Sequence, residues 1–331
     1  MALNDSVLVV DDDPQTLASL RETLSPHFKL IYATSGAQAL EAAERTLPSL
    51  VLLDINLPDM DGIEVCRRLK VMPNLRGVPV LFVSSLSEGD FGVEGFEAGA
   101  VDYITKPIIP DVVVARVKSH ISLVQVERLE RAHNDAVTML AVAGEYNDTD
   151  TGIHIRRMAA ISAVLAEKAG CSASLVADIA LAAQMHDIGK LGIPATILKK
   201  PGPLNTEEWK VMRRHPEIGH QILSVSDAPL FKLAAEISLS HHERWDGTGY
   251  PAGIAGEKIP ISGRIVALAD VFDALTSVRP YKHAWSVTEA MTHIKEGAGS
   301  HFDPHLVELF EEALPEVLDV KASFDRLANS S

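Results

Sequence analysis

Over the first 120 residues, short apolar runs alternate with amphipathic stretches. Ser6–Val10, Lys29–Tyr32, Leu50–Leu53, Val78–Val83 and Asp102–Ile104 have the apolar pattern of strands. Pro14–Leu24, Gly36–Thr46, Gly62–Val71, Gly89–Ala98 and Pro110–Leu123 carry apolar residues at helical spacing. Repeated β-α units of this length predict a doubly wound parallel sheet, with its site at the carboxyl ends of the strands. Beyond Pro110, the apolar positions Val113, Val117, Ile121, Val124, Leu129 and Val137 continue through a charged stretch without Gly or Pro. This predicts a last helix that runs on as a rod. Such a rod transmits rotation or dimer geometry, although a plain spacer helix fits the same pattern. From about residue 135 strand patterns vanish and an all-α domain is predicted, with loops at Lys199–Leu204 and Asp246–Pro260. The expected organisation is an α/β domain over 1–122, a linker helix over 123–138 and a helical domain over 139–331.

A length of 331 residues fits two domains. The 30 Lys and Arg against 45 Asp and Glu give a formal charge of −15. Such a surface repels nucleic-acid backbones and anionic lipid, so DNA and membrane are not expected partners, and a polyanionic substrate needs a local basic pocket. Two cysteines, Cys66 and Cys171, lie far apart in the sequence; that usage suits a reducing compartment and predicts two buried, inert thiols. The N-terminus meets acids directly after a short apolar run, unlike a signal peptide, and no apolar stretch approaches the ~18 residues of a membrane span. A cytoplasmic location is expected.

The strand ends of the first domain carry Asp11 and Asp12, then Asp54, Ser84 and Lys106. Three carboxylates on one rim repel each other unless a cation joins them, and all-oxygen ligation favours Mg²⁺. Asp54 then fits a nucleophile for phosphoryl transfer, with Lys106 and the Ser84 hydroxyl on the acquired phosphoryl oxygens. A single Asp after a strand ordinarily caps a helix, but the full set in this order makes that reading improbable. The stretches LVVDDDP, LLDINLPDMDG, PVLFVSS and DYITKP, spanning residues 5–122, closely resemble two-component receiver domains. The resemblance implies Asp54 as phospho-acceptor and Asp11, Asp12 and the Asn56 carbonyl as the Mg²⁺ pocket. It also implies Ser84 and Tyr103 as the switch pair and a sensor histidine kinase as partner. Tyr103 fits an ordinary packed aromatic equally well.

The helical domain contains His154, the pair His186–Asp187, His215, the pair His241–His242, and Asp270. A lone buried histidine is usually satisfied by a hydrogen bond, but this concentration of ligand types suits two cations bridged by one carboxylate. His154, His186, Asp187 and Asp270 would hold one, and Asp187, His215, His241 and His242 the other. Open positions for water and substrate make this an arrangement for hydrolysis. Lys190 follows His186 by helical i+4 spacing, which aims it at the same face to contact phosphate.

MHDIGK, HHERWDGTGYP, LADVFDALTSVRPYKHAW and HFDPHLVELF, within roughly residues 140–315, resemble the HD superfamily of metal-dependent phosphohydrolases and, within it, the HD-GYP subfamily. That resemblance implies a phosphodiesterase opening cyclic di-GMP to pGpG and often on to GMP. It places Arg279 and Lys282 on substrate phosphates, where the bland alternative is solvated surface charge. Tyr250, in the Gly-Tyr-Pro loop beside the substrate, is expected among the substrate-binding residues, as a loop-shaping group rather than a catalyst. Asp273 reads as a group that orients ligands or Lys190, and the FDP segment between His301 and His305 as a structural turn. Many relatives carry Glu four residues before the first metal histidine; here Asp150 is one methylene shorter, so two metals are expected rather than three. Mixed imidazole and carboxylate ligation suits Fe, Mn, Zn or Ni. A preference for pGpG or another cyclic dinucleotide, and a catalytically weak sensor or scaffold, are the alternative functions. A homodimer is left open.

Overall fold

Strands β1 (Ser6–Val10), β2 (Lys29–Ala33), β3 (Leu50–Asp54), β4 (Val80–Ser84) and β5 (Asp102–Thr105) form one parallel sheet in the order β2-β1-β3-β4-β5. They lie in a computed structural model that describes residues 5–85, 94–145, 152–277 and 283–328. The chain divides into two units, Met1–Arg131 and Ala132–Ser331. The sheet of the first unit is covered on both faces. Leu8, Val10, Leu53 and Phe82 face one apolar core, and Val7, Val9, Leu52 and Leu81 the other, so each strand is apolar at consecutive positions. The order of the strands reverses at β1 and β3, and a doubly wound sheet opens its crevice at that point. Parallel register sets Val10 opposite Leu53, Asp54 opposite Val83 and Ser84 opposite Thr105. Asp11, Asp54, Ser84 and Lys106 therefore reach one edge.

The helices Pro14–Leu24, Gly36–Thr46 and Gly62–Val71 begin at side-chain caps, Asp13, Ser35 and Asp61, whose oxygens accept backbone N–H groups of the first turn. The predicted Gly89–Ala98 helix begins outside the described residues, and 94–97 are helical. One unbroken helix, Pro110–Glu145, follows. Its Val113, Val117 and Ile121 are buried in the first unit, and Val137 and Ala141 belong to the core of the second. Between them Leu123, Val126 and Leu129 are exposed. Cys66 is buried, and burial pushes its thiol up to about 11. Cys171 is only half-buried, short of the burial expected for it, because it sits at the edge of the helical core.

The second unit is helical. Gly152–Lys168 packs against Ala173–Ala182, Ile261–Thr276 and the C-terminal helix Leu314–Ala328, while Pro229–Ser240 packs against His215–Leu223 and Ile261–Thr276. Phe272 and Phe310 meet edge to face at 5.0 Å in the middle of this core. No helix among the described residues is long and apolar enough to cross a membrane.

Candidate functional site

At the strand edge of the first unit, Asp11, Asp12 and Asp54 each offer a carboxylate oxygen within 4.8 Å of the others. Asp11 and Asp54 are buried and Asp12 is exposed. Lys106 Nζ lies 2.6 Å from Asp54 Oδ2 and 2.8 Å from Asp11 Oδ2, and the Asn56 backbone N–H donates to Asp54 Oδ1 at 3.2 Å. Burial raises the Asp11 carboxyl above its usual range, and Lys106 only partly offsets this. Burial likewise opposes the Lys106 charge, but hydrogen bonds to Asp11 and Asp54 overcome it and hold the ammonium above its ordinary value. One ammonium against three carboxylates leaves excess negative charge, which a cation relieves. Ser84 is buried at the end of β4, and Tyr103 on β5 is half-buried, with the Arg116 guanidinium 5.9 Å from its ring centre.

In the second unit Asp187, His215, His241 and His242 bring one ligand atom each within 4.8 Å of one another. Asp187 is the hub. Its Oδ1 lies 3.1 Å from His215 Nε2 and 3.5 Å from His241 Nε2, and its Oδ2 lies 3.2 Å from His186 Nε2. The backbone fixes three of these rings. His186 Nδ1 meets the Ala183 carbonyl at 2.9 Å, His215 Nδ1 that of Met212 at 2.8 Å, and His241 Nδ1 that of Ser238 at 2.9 Å. A carbonyl only accepts, so each Nδ1 carries a proton and Nε2 is the ring atom turned toward Asp187, the one that a metal would take in place of a proton. Burial lowers the His241 imidazole, and burial together with His241 and His215 puts His242 well below its ordinary value. Both rings are thus neutral and able to ligate. Burial opposes the Asp187 charge, yet Lys190 and His186 hold its carboxyl well below the usual range. Imidazoles converging on a buried carboxylate fit a divalent cation.

His154 and Asp270 face each other, Nε2 to Oδ1 at 3.8 Å. Asp273, one turn beyond Asp270, receives the His154 Nδ1 proton and two donations from Arg157, of which Nη2 lies at 2.9 Å. Of the two partners expected for Asp273, a metal-ligand candidate or Lys190, it is His154 that it contacts. Burial opposes its charge, but His154 and Arg157 bring the carboxyl down to about 2. Arg157, itself buried, also reaches Ser277 and, at 3.1 Å, Asp325 on the C-terminal helix. Asp273→Asn is expected to lower metal affinity roughly 10- to 100-fold, as loss of an outer partner typically does. Titrating the metal-free protein with Mn²⁺ checks this, and unchanged affinity would count against the orienting role.

The expected α-helical i+4 relation of His186 and Lys190 is not what folds. Residues Ala183–Met185 and Ile188–Gly192 are two 3-10 turns, interrupted where Asp187 adopts φ −103°, ψ 11°. The interruption lets Gly189 press against the next element: a Cβ there would stand 1.9 Å from the His215 carbonyl oxygen and 2.5 Å from Gly219 N. Lys190 then reaches Asp187 Oδ2 at 2.8 Å by i+3 spacing.

Tyr250 stacks on His242, with centroids 4.8 Å apart and planes at 27°, and meets His215 edge-on. Two features seat its loop. Gly249 approaches so closely that a Cβ would lie 2.4 Å from Arg244 N, and buried Glu243 accepts the N–H groups of Ala252 and Gly253 at 2.7 and 3.1 Å through one oxygen. Sequence reasoning missed Glu243 and Arg157. Glu243 follows His242 directly, and that adjacency was the one available signal. Arg279, Lys282 and Asp150 lie outside the described residues. Among the remaining histidines, His120 pairs with Asp102, His133 meets Phe231, His293 meets Trp285 and His301 stacks on Phe302. The segment after His301 is a turn: Phe302 N bonds back to the Gly297 carbonyl, and Asp303 caps the helix Pro304–Glu312.

Comparison with known proteins matches residues 7–118 to the response regulator receiver domain and residues 138–306 to the HD domain. The chain is 37% identical over 325 residues to the cyclic di-GMP phosphodiesterase response regulator RpfG of Xanthomonas campestris, covering 92% of this chain and 86% of that protein. It is 36% identical over 342 residues to a cyclic di-GMP phosphodiesterase of Thermotoga maritima, covering 95% and 92%. Over 195 residues it is 43% identical to the 3'3'-cGAMP-specific phosphodiesterase 2 of Vibrio cholerae, covering 59% of this chain and 37% of that protein.

Proposed function

The chain belongs to the response regulators that join a receiver domain to an HD domain, and from that membership we propose that it hydrolyses cyclic di-GMP to pGpG, and on to GMP, under the control of phosphorylation at Asp54. It is a metal-dependent phosphodiesterase whose receiver takes its phosphoryl group from a sensor kinase. The boundaries that suit this reading are a phospho-acceptor domain over 1–122, a linker helix over 123–138 and the hydrolase over 139–331. The carrying observation is the group Asp187, His215, His241 and His242, with the Nε2 atoms of His215 and His241 facing Asp187. His154, His186 and Asp270 complete the set for a second cation, with Asp187 common to both. Two divalent ions of the Fe, Mn, Zn or Ni class, held there, supply Lewis acidity and a nucleophile at neutral pH.

The protein's own residues do the rest. Lys190 sits beside Asp187, where it would contact a phosphoryl oxygen and stabilise the charge that develops on it. Arg279 and Lys282 bind the substrate phosphates, and Tyr250 covers the His242 ring and excludes water from that side. In the receiver, Lys106 and Ser84 bind the phosphoryl group on Asp54, Tyr103 responds as the switch partner, and Asp11, Asp12 and the Asn56 carbonyl hold Mg²⁺. The test is product analysis: protein loaded with Fe²⁺ or Mn²⁺ is offered cyclic di-GMP, pGpG and 3'3'-cGAMP separately. Turnover of cyclic di-GMP to pGpG is expected to be the fastest first step. A protein that turns over only pGpG or 3'3'-cGAMP would overturn the assignment.

A further inference from the structure

A series of flat groups leads outward from the ligand cluster. His241 and His242 have centroids 4.1 Å apart, and Tyr250 stacks on His242 at 4.8 Å. The Arg213 guanidinium lies 5.2 Å over the Tyr250 ring and 6.0 Å from the ring of Trp209. Local sequence explains the arrangement. Trp209 is on the helix Thr206–Met212, Arg213 caps the end of that helix, and two residues later the chain delivers His215. Arg213 is exposed, Trp209 remains 46% exposed, and no carboxylate among the described residues lies within ion-pair distance of Arg213. In a chain of net charge −15, a cation beside the catalytic cluster that pairs with aromatic faces instead of acids is unusual.

The chemistry of that position is specific. The guanidinium carbon stands over both rings, and no acceptor among the described residues takes its N–H groups, which leaves them as a fork of donors. A fork matches the O6 and N7 acceptors of guanine, whereas adenine presents a donor where guanine presents O6. The half-exposed indole adds a face on which a base can stack. Resting on the reading of this site as a cyclic di-GMP phosphodiesterase, we propose that Arg213, flanked by Trp209 and Tyr250, forms a guanine subsite. It reads the O6/N7 edge of one base while the scissile phosphate lies on the ligand cluster.

The experiment compares the full metal-loaded chain with Arg213→Ala and Arg213→Lys. It measures kcat and KM for cyclic di-GMP, the inhibition constant of cyclic di-AMP as competitor, and bound metal. Arg213→Ala is expected to raise KM for cyclic di-GMP roughly 10- to 100-fold, the worth of one bidentate base contact. The shift in kcat should be less than about 3-fold, and the metal content and cyclic di-AMP inhibition constant should stay near the parent values. Arg213→Lys should behave like the alanine variant, because an ammonium is a point charge without the fork. Recovery of KM by lysine would mean that Arg213 binds phosphate, and would overturn the proposal. So would an equal weakening toward both dinucleotides, a loss of metal, or an unchanged KM. Failure of the unaltered protein to turn over cyclic di-GMP would overturn the activity and the subsite together; a change confined to the variants bears on the subsite alone.

Discussion

An Asp187→Ala chain is expected to lose its bound metal and more than roughly 10³-fold of its hydrolytic rate, well beyond the 10- to 100-fold that an outer partner typically costs. The expectation follows from the position of this carboxylate. One of its oxygens faces His215 and His241 and the other faces His186 and Lys190. The imidazoles are held toward it by carbonyls at the same spacing each time, so they cannot swing to share a cation without it. Burial and the neighbouring histidine put His242 well below its ordinary pKa, and neutral imidazoles alone leave a dication unneutralised in a dry site. Alanine also takes one negative charge from beside the Lys190 ammonium, which disfavours a cation further. Metal analysis by plasma mass spectrometry, with circular dichroism to establish that the helices remain, separates loss of the site from loss of the fold. Asp187→Asn, which keeps the shape and removes the charge, should lose metal too. Full activity with unaltered metal content would sink the bridging assignment.

Asp54→Asn is expected to abolish phosphoryl uptake from acetyl phosphate, because an amide oxygen is too weak a nucleophile to displace the leaving group. The pocket is built around that one atom set. Lys106 approaches Asp54 Oδ2 at 2.6 Å, the Asn56 N–H is directed at Oδ1, and Asp11 stands beside the same ammonium. Asparagine leaves Asp11 and Asp12 in place, so Mg²⁺ binding should weaken without vanishing, whereas the phosphorylated mass should disappear. Intact mass spectrometry after incubation with donor and Mg²⁺ reads both species. A variant that still gained a hydroxylamine-sensitive phosphoryl group would assign the acceptor elsewhere.

The two halves were legible for different reasons. A parallel sheet writes itself into the sequence as runs such as Val7–Val10 and Leu50–Leu53, apolar at every position because both faces are covered. The acids that follow those runs mark the functional edge. The helical half was readable as helical from the loss of strand patterns after about residue 135, and its site through the pairs His186–Asp187 and His241–His242, but the turns that carry that site were not. The 3-10 turns around Asp187 accompany the close approach of Gly189 to the His215 carbonyl, which lies across a gap of sequence that helical periodicity does not sample. Arg157 was invisible for the same reason. An arginine on an apolar helix acquires meaning only from Asp273 and Asp325, which are 116 and 168 residues away.

That last contact bears on where the catalytic module ends. The HD domain match closes at residue 306, yet the support of His154 continues through Asp273 and Arg157 to Asp325, on a helix that packs along Gly152–Lys168. A recombinant fragment trimmed to the matched segment would keep the proposed ligands His154 to Asp270 and would lose an outer wall of the core, including Val317. It would also strip Arg157 of one of its two carboxylates. The packed helical unit therefore extends beyond the matched segment, and a fragment cut at residue 306 would lose the Arg157–Asp325 contact that one carried through Ala328 keeps.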